Sequence, residues 1–336
     1  MENPYHYRNK AQYPLGINKQ NEPIVGIFAK RSHNIIQMKK CLIQNPISEE
    51  IAKFIIEFIK NNEISIYDEK TRNGLFRHIV IKFGIKTNEI MCIFVINGEN
   101  IPKEKELIQQ LINNFSNIKT IVKNINTKNT NVILGSKNIN LYGNGYIKDI
   151  LGDYTFKISP LSFYQVNPIQ AEKLYNLGVK AAKITKDDVV FDLYCGIGTI
   201  SLFMAKFAKY VYGVEIVEQA IQDAKENAKL NDIDNVDFLS GSTEDVLDKL
   251  INDKNIVPDV IMVDPPRRGL DDKSIKNILK VKPSRFVYIS CNAATLVRDL
   301  VKFEEFYDIK EIQPVDMFPF TNHVECVAVL QLKQDR

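Results

Sequence analysis

The sequence predicts an α/β protein, a doubly wound Rossmann-like domain behind an α+β front domain, and three observations carry that expectation. From Pro168 onward, strand, glycine turn and helix recur, as in a parallel sheet covered by helices on both faces. The run Val189 to Tyr194 (VVFDLY) has the composition of a strand buried on both sides, and Cys195-Gly196-Ile197-Gly198-Thr199 turns it into a helix. Ahead of residue 160 the pattern changes to short apolar stretches separated by Asn- and Gly-bearing turns. We therefore expect one domain over 1–160 and a second over 161–336.

In the front domain, Ser48 is an acceptable helix N-cap, followed by Glu49 and Glu50 and by apolar residues at 51, 54, 55, 58 and 59. Strands are expected at Ile64 to Tyr67, Phe76 to Phe83, Ile90 to Ile96, Ile118 to Ile125, Asn131 to Leu134 and Asn140 to Tyr142. In the rear domain the first strand leads to a helix at Ile200 to Ala208. Strands then follow at Tyr210 to Ile216, Val236 to Leu239, Val260 to Val263 and Arg285 to Ser290, with helices at Glu218 to Leu230 and after Ala293. The segments Ile309 to Met317 and His323 to Leu332 break the alternation and read as an antiparallel hairpin closing one edge of the sheet.

The 336 residues exceed one average domain, and 45% hydrophobic with 25% charged residues is ordinary for a globular protein. No apolar run of about 18 residues and no charged-then-apolar leader is found, so a cytoplasmic protein without membrane contact is expected. The five cysteines are scattered with no C-x-x-C pair, which argues against a disulfide framework or a local zinc site. The net charge of +3 divides into +8 over residues 1–150 and −5 over the remainder. A basic front half suits a polyanion. Lys123, Lys128 and Lys137 are expected to meet phosphates, and Tyr5, Tyr7, Arg8, Lys10 and Tyr13 mix aromatic and basic groups as single-stranded RNA binders do.

Gly196 and Gly198 lie where the first strand of the rear domain turns into its helix, and Glu215 ends the second strand. Such glycines permit close ligand approach, and an acid at that distance suits a ribose hydroxyl pair. Thr199 replaces the third glycine of dinucleotide-binding turns, which favours S-adenosylmethionine over a nicotinamide cofactor. A further strand ends in Asp264-Pro265-Pro266-Arg267-Arg268-Gly269. Amino-directed methyltransferases place an aromatic after the proline pair, so Arg267 there argues against an exocyclic amine as target. The last parallel strand ends in Ser290-Cys291-Asn292 just before a helix, where the positive end of the helix dipole should favour the thiolate. Cys291 is the best nucleophile in the chain. Cys92 and Cys326, alternating within apolar strands, read as buried structural thiols.

The motifs F-D-L-Y-C-G-I-G-T, V-D-P-P-R-R-G, Y-I-S-C-N and M-F-P-F-T-N-H-V-E-C together resemble the RNA uracil-5-methyltransferases, which form 5-methyluridine, and the likeness extends from P-Y-H-Y-R-N-K onward. The resemblance implies Cys291 as nucleophile and Glu325 as base, with Gln165, Tyr194, Glu215 and Asp264 contacting S-adenosylmethionine. Gln165 and Tyr194 rest on the resemblance alone. The chemistry itself calls for such a pair. A thiolate must add to carbon 6 of uracil before carbon 5 becomes nucleophilic, and a carboxylate must then remove the carbon 5 proton so that the thiolate can leave.

The chain departs from the family in two places. Ala293 stands where many relatives have proline after S-C-N. Larger members also carry an RNA-binding β-barrel and three cluster cysteines ahead of Y-R-N-K, and both are absent here, which reads as truncation or as a naturally short member, with truncation favoured. Cys41 resembles the fourth ligand of their iron–sulfur cluster, and because one cysteine cannot hold a cluster bound by four, none is expected. This remnant leans towards 23S ribosomal RNA over transfer RNA as partner. The competing readings are an RNA-binding or RNA-folding module without activity, and a class I methyltransferase acting on another substrate such as a cytosine carbon. No obligate protein partner is evident.

Overall fold

Strand-period runs of β-branched and aromatic residues become strands where they were expected at Phe76–Phe83, Ile90–Ile96 and Ile118–Ile125. The computed structural model describes residues 1–30, 32–253 and 255–334. Its backbone divides into two units, one of Asn3–Ile150 with Lys157–Leu161, the other of Met1–Glu2, Leu151–Phe156 and Ser162 onward.

The front unit runs β1 (Lys10–Ile17), β2 (Pro23–Phe28), β3 (Ile35–Gln37), α1 (Pro46–Asn61), β4 (Phe76–Phe83), β5 (Ile90–Ile96), α2 (Glu104–Asn114), β6 (Ile118–Ile125) and β7 (Lys137–Gly143). Its sheet has the order β3-β2-β1-β4-β5-β6-β7. β5 and β6 are parallel, and a parallel pair needs a crossover, which α2 supplies. The sequence reading missed α2 because its buried stripe is only Leu107 and Leu111. Ile51, Ile55 and Ile59 of α1 pack with Tyr13, Ile79, Ile81 and Phe94 in one apolar core.

Several expectations for the front unit are corrected. The N-cap of α1 is Asn45, whose Oδ1 accepts from Ile47 N at 3.1 Å, with Pro46 at the first helical position. Ser48 instead lies in the first turn, its Oγ 2.8 Å from Tyr13 Oη. The segment Ile64 to Tyr67 contributes only a bridge between Ile66 and Phe76. Asn131 to Leu134 is a loop held by Asn126 Nδ2, which donates to Val132 O and Ile133 O. Tyr7 and Tyr13 are core residues, 4% and 1% exposed, and cannot stack on bases. Lys123 is buried and paired with Glu104 at 2.7 Å, so its charge is already neutralised. Lys128 and Lys137 are exposed, as a phosphate contact requires.

β8 (Ile147–Leu151) and β9 (Tyr154–Ile158) pair as a separate ribbon. The rear unit continues with α3 (Pro168–Ala182), β10 (Val189–Leu193), α4 (Thr199–Ala205), β11 (Tyr210–Glu215), α5 (Glu218–Leu230), β12 (Val236–Ser240), α6 (Thr243–Asp248) with a following π turn, β13 (Val260–Val263), α7 (Asp272–Val281), β14 (Arg285–Ser290), α8 (Ala293–Phe303), β15 (Tyr307–Val315) and β16 (Glu325–Leu332). The sheet order is β12-β11-β10-β13-β14-β16-β15. β16 is antiparallel to both of its neighbours, β14 and β15. The terminal pair is thus antiparallel as expected, but β16 lies inside and β15 forms the edge. Strands β10, β11, β13 and β14 end at one edge, where ligands of open α/β sheets bind, and the reversed β16 begins there. Among the described residues, no helix is long and apolar enough to cross a membrane.

Candidate active site

The turn after β10 is built from residues in left-handed conformation. Tyr194, Gly196 and Gly198 have φ of +74°, +55° and +82°. At Gly198 a Cβ would meet Phe238 Cζ at 2.8 Å, so backbone angle and space both demand glycine. At Gly196 a Cβ would have no heavy atom within 4 Å, so this side of the turn is open to a ligand. Glu215, at the end of β11, closes the turn: its Oε2 accepts from Gly196 N at 3.2 Å and its Oε1 from Val217 N at 2.9 Å. A carboxylate has about four acceptor sites, so two remain for a ligand's hydroxyls. The Tyr194 Oη lies 3.2 Å from Ser274 Oγ of α7, and burial raises its pKa.

Asp192, one residue from the end of β10, is fully buried. Its Oδ2 accepts from Ser201 Oγ at 2.5 Å, while its Oδ1 has no partner in the fold. Burial pushes the Asp192 carboxyl up to about 7, and the Glu215 charge adds to the shift. Asp264, just beyond β13, sits 3.5 Å from Gln165 Nε2. Its pKa lies well above the usual carboxylate range, first through desolvation, then through Glu325 and Asp192. Buried acids that repel one another are costly unless a cation joins them. The orphaned Asp192 oxygen, the open glycine turn and this anionic lining together fit a nucleoside cofactor that carries positive charge.

Cys291 and Glu325 meet through strand register. Ser290 of β14 is paired with Cys326 of β16, so Cys291 follows one member of this pair and Glu325 precedes the other at the same edge. Asn292 is the N-cap of α8, its Oδ1 accepting from Ala294 N at 3.1 Å. Cys291 therefore stands outside the helix. The expected fall in its pKa is not found. Burial raises it, and Glu325 and Asp264 raise it further, opposed by Arg267. Glu325 is 3% exposed, and burial pushes its carboxyl up to about 7 against the lowering effect of Arg267.

Arg267 is the part of this arrangement that the sequence reading used only to exclude a target. Asn292 Nδ2 and Thr295 Oγ1 donate to its carbonyl at 3.2 and 3.3 Å, and its Nη2 lies 3.4 Å from His323 Nε2. The guanidinium charge lowers the pKa of both Cys291 and Glu325. The Asp192–Ser201 bond and the exposed Ile216, immediately after Glu215, were also missed, since neither has a spacing signature. Cys92 and Cys326 are buried as expected, and burial pushes the Cys92 thiol up to about 12. Cys41 is half-buried, and among the described residues no group of three or more His, Cys, Asp or Glu could hold a metal ion.

Fold and site together define a Rossmann-like methyltransferase. Residues 2–333 match the tRNA (uracil-5-)-methyltransferase family, and the chain belongs to it. A protein of Staphylococcus aureus named as an uncharacterised RNA methyltransferase is 47% identical over 333 residues, covering 99% of this chain and 73% of its own length. One of Oceanobacillus iheyensis is 48% identical over 335 residues, covering 99% and 72%. Among solved structures, the Pyrococcus abyssi tRNA (uracil-54, C5)-methyltransferase in complex with S-adenosyl-L-homocysteine superposes with a TM-score of 0.78 at 30% identity, over 97% of this chain and 76% of that one.

Proposed function

We propose that this protein methylates carbon 5 of a uridine in RNA, drawing the methyl group from S-adenosylmethionine and using Cys291 as nucleophile and Glu325 as base. The observation that supports the reading is the Ser290–Cys326 pair, next to which the thiol and the buried carboxyl both stand at the ligand edge of the sheet. Glu215 would hold the ribose hydroxyls, the glycine turn would accept the nucleoside beside Ile216, and Asp264 with Gln165 would face the cationic end. Bound there, S-adenosylmethionine supplies an electrophilic methyl group.

The Cys291 thiolate adds to carbon 6 of the uracil, and negative charge spreads to carbon 5 and oxygen 4. Arg267 favours the thiolate that begins this step and the Glu325 carboxylate that ends the sequence. Once carbon 5 carries the methyl group, Glu325 takes its proton, the carbon 5–carbon 6 double bond re-forms and the sulfur leaves with its electron pair. Exposed lysines of the front unit would grip RNA phosphates.

The family name and the Pyrococcus enzyme point to transfer RNA. Cys41 is the feature that resembles ribosomal RNA relatives. Mapping 5-methyluridine in both RNAs, with and without the gene, tests the function and assigns the class. Loss at one site is expected; an unchanged map in both RNAs would overturn the reading.

A further inference from the structure

We propose that Arg298 and Asp299 of α8 are positioning residues, which fix the loop 266–270 and so hold the Arg267 guanidinium beside Cys291 and Glu325. The inference rests on the reading above and deepens it. Asp299 is fully buried, and its Oδ2 accepts from Leu270 N at 2.9 Å and from Tyr288 Oη at 2.7 Å. Its Oδ1 accepts from Arg298 Nε at 2.8 Å. Arg298 Nη2 in turn donates to Arg268 O at 2.8 Å and to Leu270 O at 3.3 Å. A buried carboxylate destabilises a fold relative to an apolar side chain of similar size unless donors and a cation match it. Here the matching donors are the loop, Tyr288 and the arginine that binds the loop.

The loop lies directly against these side chains. Gly269 has φ +77°, and a Cβ there would clash with Asp299 Oδ2 and stand 2.7 Å from Arg298 Nη2, so glycine is required by backbone angle and by space. Asn292 Nδ2 and Thr295 Oγ1 hold Arg267 O, so the carbonyls of Arg267, Arg268 and Leu270 all end on α8 and its N-cap. Residues 292, 295 and 299 share one face of that helix. The same helix and its cap follow Cys291 directly, so one rigid element sets both the thiol and the backbone that carries the guanidinium. Arg267 is itself exposed, so packing does little to hold its side chain, and the place of its backbone decides how near the charge stands. That charge opposes burial, Glu325 and Asp264, which raise the Cys291 thiol.

Alkylation of Cys291 by iodoacetamide, read from its peptide by mass spectrometry over a range of pH, tests this without RNA or cofactor. The Arg298 side chain is 49% exposed, so Arg298→Ala should leave the fold intact, and Cys92, fully buried in β5, should stay unlabelled as the internal sign of it. The midpoint of rate against pH is expected to move upward, with labelling at about pH 7 roughly threefold slower. Asp299→Asn keeps the shape of the buried side chain and should move the midpoint the same way. Arg267→Gln should do so too, and adding Arg298→Ala to it should shift the midpoint no further, because the loop then has no charge to hold in place. A merely structural tie between α8 and the loop would leave the midpoint unmoved. Wild-type midpoints in Arg298→Ala and Asp299→Asn, a wild-type midpoint in Arg267→Gln, or two shifts that add in the double variant would overturn the inference. A protein that forms no 5-methyluridine would overturn the proposed function instead, and the thiol midpoints would still decide the roles of Arg298 and Asp299.

Discussion

Ser290 pairs with Cys326 across β14 and β16, and that one register brings the thiol at the end of one strand to the carboxyl at the start of the other. Because β16 runs against β14, its first residue lies at the edge where β14 ends. A parallel final strand would have placed Glu325 at the far edge. The reversed strand is therefore a requirement of the site as well as of the sheet.

Activity should rise with pH. Burial pushes the Glu325 carboxyl up to about 7 and raises the Cys291 thiol, and both groups work in their deprotonated forms. Below pH 7, kcat/KM for RNA is expected to fall about tenfold per pH unit for one group, and more steeply where both titrate. Arg267 lowers both pKa values, so Arg267→Gln should move the acid limb to higher pH. A profile with an unmoved midpoint would show that the guanidinium does not act on them.

Cofactor affinity should depend on Glu215. Glu215→Gln removes the charge that would hold ribose hydroxyls and weakens the bond closing the glycine turn. Charge-assisted hydrogen bonds contribute about 1.5–3 kcal/mol, so S-adenosylmethionine should bind roughly ten- to a hundredfold more weakly by calorimetry. Unchanged affinity would remove Glu215 from the cofactor site.

RNA affinity should fall steeply with salt, and the lysines should divide into two groups. Lys128→Ala and Lys137→Ala should each lessen the slope of log affinity against log salt by roughly 0.7, as for one single-strand phosphate contact. Lys123→Ala should leave the slope alone and lower Tm instead, because it strands Glu104 beside the core. Equal slopes for all the variants would place the RNA elsewhere.

The rear unit was legible because its strands are short apolar runs punctuated by glycine, and each motif falls at a strand end. Val260–Val263, Arg285–Ser290 and Glu218–Leu230 form at their expected bounds. The front unit was less legible. Tyr7 and Tyr13 look like a base-stacking surface in one dimension, yet both are buried, Tyr13 in the core that α1 forms on the sheet. The pKa of Cys291 was misjudged for a related reason: the helix start is local and visible in sequence, whereas the opposing carboxylates come from residues 264 and 325.

The two halves of the proposed mechanism can be separated, because addition of Cys291 and methyl transfer precede the step given to Glu325. Glu325→Gln should accumulate a methylated protein–RNA adduct that survives denaturation, since nothing removes the carbon 5 proton and the sulfur cannot leave. Cys291→Ala should form no adduct and transfer no methyl group. The double variant should behave as Cys291→Ala, because elimination is irrelevant where addition never occurs, and the two losses will not add. Burial makes the Glu325 experiment demanding but interpretable: glutamine keeps the shape of a side chain that is 3% exposed, so the fold should persist. A gel of labelled RNA after denaturation reads the adduct, and nuclease digestion with mass spectrometry reads the methyl group. Normal release of 5-methyluridine by Glu325→Gln would assign proton removal to another base, and an adduct formed by Cys291→Ala would displace the nucleophile.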